Sequence, residues 1–268
     1  MTTVSVDQRR RRFAELHESG FFLIPNPFDL GSARLLEDLG FPAVATTSSG
    51  YAATLGRPDQ HVARAELVEH VRALGEAIDL PINVDAEGCF PTEEGGIAQT
   101  VNLLAEAGAA GVSIEDFDPV AGSVLDPAEA RDRVAEAADA AHRHGILLTA
   151  RCENFLHDRA DLDDTVARLT AYRDAGADVL YAPGLSTDSQ ISAVVALGMP
   201  VNVLAMAPTP DTARLRELGV RRVSTGGALA WAAYGAFVRA ATELADQGTT
   251  GYLDSALSAE RRQAFRDR

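Results

Sequence analysis

The chain has 268 residues, which at roughly 150 residues per domain allows one or two domains and falls in the range of a single barrel. Hydrophobic residues at 46% and charged residues at 24% exclude a mostly disordered chain. Basic side chains number 24 and acidic ones 39, for a net charge of −15; this argues against nucleic acid or an anionic membrane as partner, and with all 24 basic residues arginine it excludes chemistry that needs a lysine amine.

Residues 1–20 read as an extra leader helix, with Arg9–Arg12 on a solvated face. No apolar core follows these arginines, so the start does not read as a signal peptide. No apolar run approaches the roughly 18 residues of a membrane span. The two cysteines, Cys89 and Cys152, are too few for a disulfide framework, so a reducing, cytoplasmic setting is expected.

Eight short apolar runs follow: Phe21–Pro25, Ala43–Thr47, Ile82–Asp85, Gly111–Glu115, Ile146–Arg151, Asp178–Ala182, Val201–Ala205 and Arg222–Thr225. Alanine-rich amphipathic stretches lie between them, several ending at Gly40, Gly108, Gly145, Gly176, Gly198 or Gly219. Glycine just past a helix C-terminus is the expected stop, because φ turns positive there. Eight strands alternating with helices predict one α/β domain, a parallel (β/α)8 TIM barrel spanning residues 1–268, with residues 228–268 as C-terminal helices. A doubly wound open sheet is the alternative, but no GxGxxG follows the first run and no composition break marks a second domain.

In such a barrel the chemistry sits at the C-terminal ends of the strands. The second run ends in Thr47-Ser48-Ser49-Gly50-Tyr51, read as a loop whose backbone N–H groups face a carboxylate or oxyanion; Asp59 follows. The third ends in Asp85-Ala86-Glu87-Gly88, where alternation puts both acids on one face. Paired carboxylates without imidazoles suit a hard ion such as Mg²⁺. The fourth ends in Glu115-Asp116-Phe117-Asp118, and two acidic strand ends side by side repel unless a cation sits between them. The fifth carries Arg151 and Glu153. Arg151 is a fork for a carboxylate or phosphonate, or else forms a structural ion pair with one of these acids. His17, His70, His142 and His144 read as surface residues of helices, whereas His61 and His157 lie in loops that can approach the site. Cys89 reads as a small buried hydrophobe.

Taken in order, these segments resemble the isocitrate lyase/phosphoenolpyruvate mutase superfamily over roughly residues 20–240: Asn26-Pro-Phe-Asp29 with Ser32-Ala33-Arg34, Ser48-Ser49-Gly50, Leu55-Gly56-Arg57-Pro58-Asp59, Asp85-Ala-Glu87-Gly88, Gly108 through Asp116, and Ala150-Arg151-Cys-Glu153. The resemblance implies a barrel whose last helix is often exchanged between subunits of a dimer or tetramer. It implies Mg²⁺ (or Mn²⁺), and a small 2-oxo or 2-hydroxy acid reacting through a pyruvate-type enolate. By position, Asp85, Glu87 and Glu115 would be the metal residues, with Asp59 behind them. Ser49, Gly50, Tyr51, Asn26 and Glu153 would line the substrate, and Arg151 would bind its acid group.

The sequence departs from the superfamily's branches in the segment Phe117–Asp126, which holds no cysteine, lysine, histidine or asparagine, and in Tyr181-Ala182-Pro183-Gly184, which has no histidine. Isocitrate lyase and mutase activities both lose residues that their branches use there. The expectation is a metal-dependent C–C lyase or hydrolase of oxaloacetate type. Phosphoenolpyruvate mutase or phosphonopyruvate hydrolase-type C–P chemistry, or a non-catalytic metal–carboxylate sensor, are the alternatives.

Overall fold

Each of the eight apolar runs is a strand in the computed structural model, which describes residues 4–265. The strands are β1 (Phe22–Ile24), β2 (Val44–Ala45), β3 (Ile82–Asp85) and β4 (Gly111–Glu115). An antiparallel hairpin follows, β5 (Phe117–Asp118) with β6 (Ser123–Val124), and then β7 (Leu147–Arg151), β8 (Val179–Tyr181), β9 (Val201–Leu204) and β10 (Arg222–Ser224). Eight of them form one sheet, β1-β10-β9-β8-β7-β4-β3-β2, every pair parallel. The Ala45 N–H donates to the Pro25 carbonyl at 3.1 Å across the remaining seam. The fold is the expected (β/α)8 barrel.

The strands are buried on both faces, as parallel strands covered by helices must be. The helices are α1 (Val6–Glu18), α2 (Leu30–Asp38), α3 (Ser48–Thr54), α4 (Arg64–Ala77), α5 (Gly96–Glu106), α6 (Pro127–Arg143), α7 (Leu162–Asp174), α8 (Asp188–Val195), α9 (Thr212–Glu217) and α10 (Ala228–Gln247). All six glycines named above have φ between 64° and 104°, so the helix stops lie where the sequence sets them.

Helix α1 departs from its expected role. Arg9 is buried and donates to the carbonyls of Gly75 (2.8 Å) and Ile78 (3.2 Å) at the end of α4. Arg10 donates to the carbonyls of Ala105 in the last turn of α5, of Ala109 beyond it and of His144 after α6. They lie in or just past the last turns of these helices, where carbonyls lack the usual intrahelical partner. Only Arg11 and Arg12 of the run are solvated. Phe13 and His17 of α1 are buried beneath the barrel with Phe22, Ile24, Ala43 and Ala110, so α1 seals its N-terminal end. His17 and His70 are therefore core residues and not surface ones. Thr47-Ser48-Ser49-Gly50-Tyr51 is also not a loop. Thr47 accepts from the Gly50 N–H at 3.2 Å and starts α3.

Candidate active site

Strand alternation carries one side chain in two to the barrel interior. Asn83 and Asp85, Ser113 and Glu115, and Thr149 and Arg151 are the inward positions of β3, β4 and β7. They converge because the register aligns Asp85 with Ser113 and Glu115 with Arg151. A cavity of about 180 Å³ runs down the barrel from Ser48, Ser49, Asp59, Asp85 and Arg151 at its mouth to Asn202 and Arg222.

At the mouth the two acidic strand ends do have a cation between them, and it is Arg151. Its Nη1 lies 2.6 Å from Asp85 Oδ1, its Nη2 3.1 Å from Glu115 Oε2 and its Nε 2.9 Å from Glu153 Oε1. The guanidinium also sits 5.4 Å above the Tyr181 ring. Burial opposes its charge, but Glu153, Glu115 and Asp85 reverse this and hold its pKa well above the usual value. Asp85 is fixed further by the Ser48 N–H at 3.0 Å on Oδ2. Glu115 accepts from Gln60 Nε2 at 2.8 Å. Gln60, which no motif singles out, adopts a left-handed φ of 62° to do so; its only signal in the sequence is its place beside Asp59.

One guanidinium does not neutralise this cluster. Burial, then repulsion from Asp85 and Asp59, pushes Glu87 up to about 8. Burial, then Asp85, raises Asp59. Burial raises Glu115 and Glu153 despite Arg151. Glu87 does not continue the alternation of β3. Its φ is +49°, and its buried Oε1 has no hydrogen-bond partner. It lines a second cavity of about 370 Å³ with Phe90, Phe117 and Arg133. Among the described residues no three His, Cys, Asp or Glu side chains are close enough to ligate one ion together. An all-oxygen donor set with residual negative charge and an unpartnered carboxylate oxygen still fits Mg²⁺, which takes one or two carboxylates and keeps its waters.

Other expected positions are spread differently. Ser49 lines the cavity, with its hydroxyl 3.3 Å from that of Thr47. Gly50 is buried inside α3, where a Cβ would meet Thr47 Cγ2 at 2.5 Å, Phe28 Cβ at 3.1 Å and Ala230 Cβ at 3.3 Å. Its glycine identity serves packing against Thr47, Phe28 and α10. Tyr51 stacks on His70, ring centroids 3.8 Å apart, and stands beside Glu87 away from the main cavity. Asn26 lines the cavity, but its amide is already committed. Its Oδ1 accepts from the N–H groups of Thr225 (2.8 Å) and Gly226 (2.9 Å), and its Nδ2 donates to the Thr46 carbonyl at 2.7 Å. It thereby ties β10 to β2 across β1.

Asp116 turns away from the barrel axis. It accepts from the Tyr172 hydroxyl at 2.6 Å, from Arg168 Nη1 at 3.2 Å and from the Glu153 N–H at 2.8 Å. It holds Glu153 in place from behind. His157 stacks on Phe117 at 3.6 Å and His61 bonds the Asp59 carbonyl at 2.7 Å; neither lines the main cavity. Cys89 is fully buried, as expected.

Comparison with known proteins agrees with this fold. The sequence matches the phosphoenolpyruvate phosphomutase family over residues 13–245. The chain belongs to this family. A crystal structure of a provisionally named lyase/mutase from Burkholderia cenocepacia is 46% identical, covers 97% of each chain and superposes with a TM-score of 0.92. An uncharacterised protein of Mycobacterium tuberculosis is 32% identical over 217 residues, 80% of this chain and 81% of its own length. An oxaloacetate decarboxylase of Rhodopseudomonas palustris is 30% identical over 248 residues, 87% of this chain and 83% of that protein. The relatives named here are enzymes, and the chain is an enzyme of this family.

Proposed function

We propose that the chain is a Mg²⁺- or Mn²⁺-dependent lyase or hydrolase that breaks a C–C bond in a small 2-oxo or 2-hydroxy acid of oxaloacetate type. The observation that carries this reading is the barrel mouth itself, where Asp85, Arg151 and Glu115 meet at the open end of the cavity. Asp85 would hold the cation, with Glu87 and Glu115 reached through its waters and Asp59 behind. A bound dication would stabilise the negative charge that grows on an enolate oxygen when the bond breaks. Arg151 supplies a fork for the substrate's acid group, and Glu153 and Tyr181 keep that fork oriented. The Ser49 hydroxyl on the wall would donate to a substrate oxygen.

The hairpin β5–β6 favours this over isocitrate cleavage and over C–P chemistry. It brings no thiol, imidazole, amine or carboxamide to the mouth, and Pro183-Gly184 follow β8 where C–P chemistry would want a histidine. The 30% identical relative named oxaloacetate decarboxylase points the same way.

Helix α10 supports a homo-oligomer, dimer or tetramer. Of its 20 residues only Ala230 is buried, while Trp231 is 55% and Phe237 71% exposed. Apolar area of this extent is expected to be covered by another copy. No helix among the described residues is long and apolar enough to cross a membrane.

The test is a proton and phosphorus NMR screen of metal-free protein with Mg²⁺ added back, against oxaloacetate, substituted malates, methylisocitrate, phosphonopyruvate and phosphoenolpyruvate. Mg²⁺-dependent loss of an oxaloacetate-type compound is the expected result. Loss of phosphonopyruvate instead would replace C–C by C–P chemistry, and no turnover with metal still bound would favour a sensor.

A further inference from the structure

The lower end of the cavity holds a second arginine that the proposed reaction does not use. Arg222, the first residue of β10, is 3% exposed and lines the cavity with Asn83, Ser113, Asn202 and Ser224. Its Nε donates to Asn202 Oδ1 at 3.0 Å, its Nη2 to Thr149 Oγ1 at 2.8 Å and its Nη1 to His17 Nε2 at 3.1 Å. His17 Nδ1 lies 2.7 Å from the Phe13 carbonyl, which fixes the ring proton there and leaves Nε2 as the acceptor. Burial, then the charge of Arg222, holds His17 down to about 3, so this partner is neutral. All three partners of Arg222 are thus uncharged, and it forms no ion pair among the described residues.

A guanidinium offers five N–H donors, and three are used here. A buried charge with no opposite charge is costly unless something compensates it. Below, α1 closes the barrel with Phe13 and His17, so the way in is from the mouth. Thr149, which bonds Arg222, and Arg151 are two residues apart on β7. Their inward positions are therefore about 6.6 Å apart along the strand.

The geometry points to an anion subsite at the barrel floor, in which the two unused N–H groups of Arg222 bind a small monoanion of carboxylate or halide size. Binding of a free anion there needs neither the metal nor the reaction at the mouth; only its use by a substrate acid group rests on the proposed function. Its occupant is either a free anion or the far acid group of a dicarboxylate held at Arg151.

Crystals of the full chain grown in sodium bromide test it by anomalous diffraction. A bromide peak against Arg222 is expected, with saturable thermal stabilisation at millimolar bromide, and Arg222→Gln should weaken that affinity about 10- to 100-fold. No peak at the floor overturns the proposal even if the variant fails to fold. So does stabilisation that never saturates and is equal in Arg222→Gln, since that is surface ion binding only. Malonate or succinate added to the bromide crystals separates the sources. Displacement of bromide assigns the floor to a substrate acid group, and retention with the diacid bound at the mouth assigns it to a free anion.

Discussion

Arg151 and Arg222 point into the same cavity from opposite ends, and both are buried. At the mouth, three carboxylates surround one guanidinium within 3.1 Å. At the floor, three neutral groups surround the other. The protein therefore leaves excess negative charge where a cation would work and excess positive charge where an anion would rest. The comparison also shows what an acidic cluster means. The repulsion expected between the ends of β3 and β4 is met first by the chain's own arginine, and only the remainder is left for a metal.

The largest effect expected from breaking this contrast is at Asp85. Asp85→Ala should lower kcat/KM for the oxo acid that proves to be the substrate by about 10³-fold, since it removes the cation's anchor. Steady-state kinetics with a metal titration would check this, and a loss under tenfold would take Asp85 out of the chemistry. Arg151→Met comes next, through stability. Glu115 and Glu153 would be left buried without their cation, at a cost of about 3–5 kcal/mol in urea unfolding. Arg222→Met should cost less than Arg151→Met in the same assay. Removing an uncompensated charge there offsets part of the three lost hydrogen bonds.

Gly50→Ala tests whether this position serves packing or ligand binding. Its Cβ would stand 2.5 Å from Thr47 Cγ2 and 3.3 Å from Ala230, so about 1–3 kcal/mol of stability should be lost by overpacking. A pH slope from the floor tests the same contrast. His17 is neutral in the fold, held down to about 3 against an ordinary 6.5. The unfolded chain takes up the proton first as pH falls. Stability should be full above about pH 6.5 and fall towards pH 3, by at most about 1.4 kcal/mol per pH unit. Urea midpoints from pH 7 to 4 should show a shallower slope in His17→Gln; an unchanged slope would mean that His17 is charged in the fold.

Much of this was legible in the chain. Apolar runs and helix-ending glycines report local backbone preference, and all eight strands and all six glycine stops stand where they suggest. Asp85, Glu115 and Arg151 were legible for the same reason, because a strand end in a parallel barrel has one destination. Glu87 was misread where the strand ends and φ turns positive, so alternation no longer applies. Asp116 was grouped with its neighbour Glu115, although adjacent residues on a strand face opposite ways and its partners Arg168 and Tyr172 lie on α7. The Arg9–Arg12 run looked like solvent-facing charge because its acceptors, carbonyls near the ends of α4, α5 and α6, are about 65 to 135 residues away along the chain.

By itself, then, the sequence determined the barrel, its strand ends and the acid–arginine character of its mouth, since periodicity and residue type are local properties. Only the tertiary structure decided which acid meets which cation, that Gly50 packs where Ser49 lines the cavity, and that Arg222 lies unpaired at the floor. Those are matters of who lies opposite whom once the sheet closes, and a guanidinium's charge balance is set by that neighbourhood and not by its place in the chain.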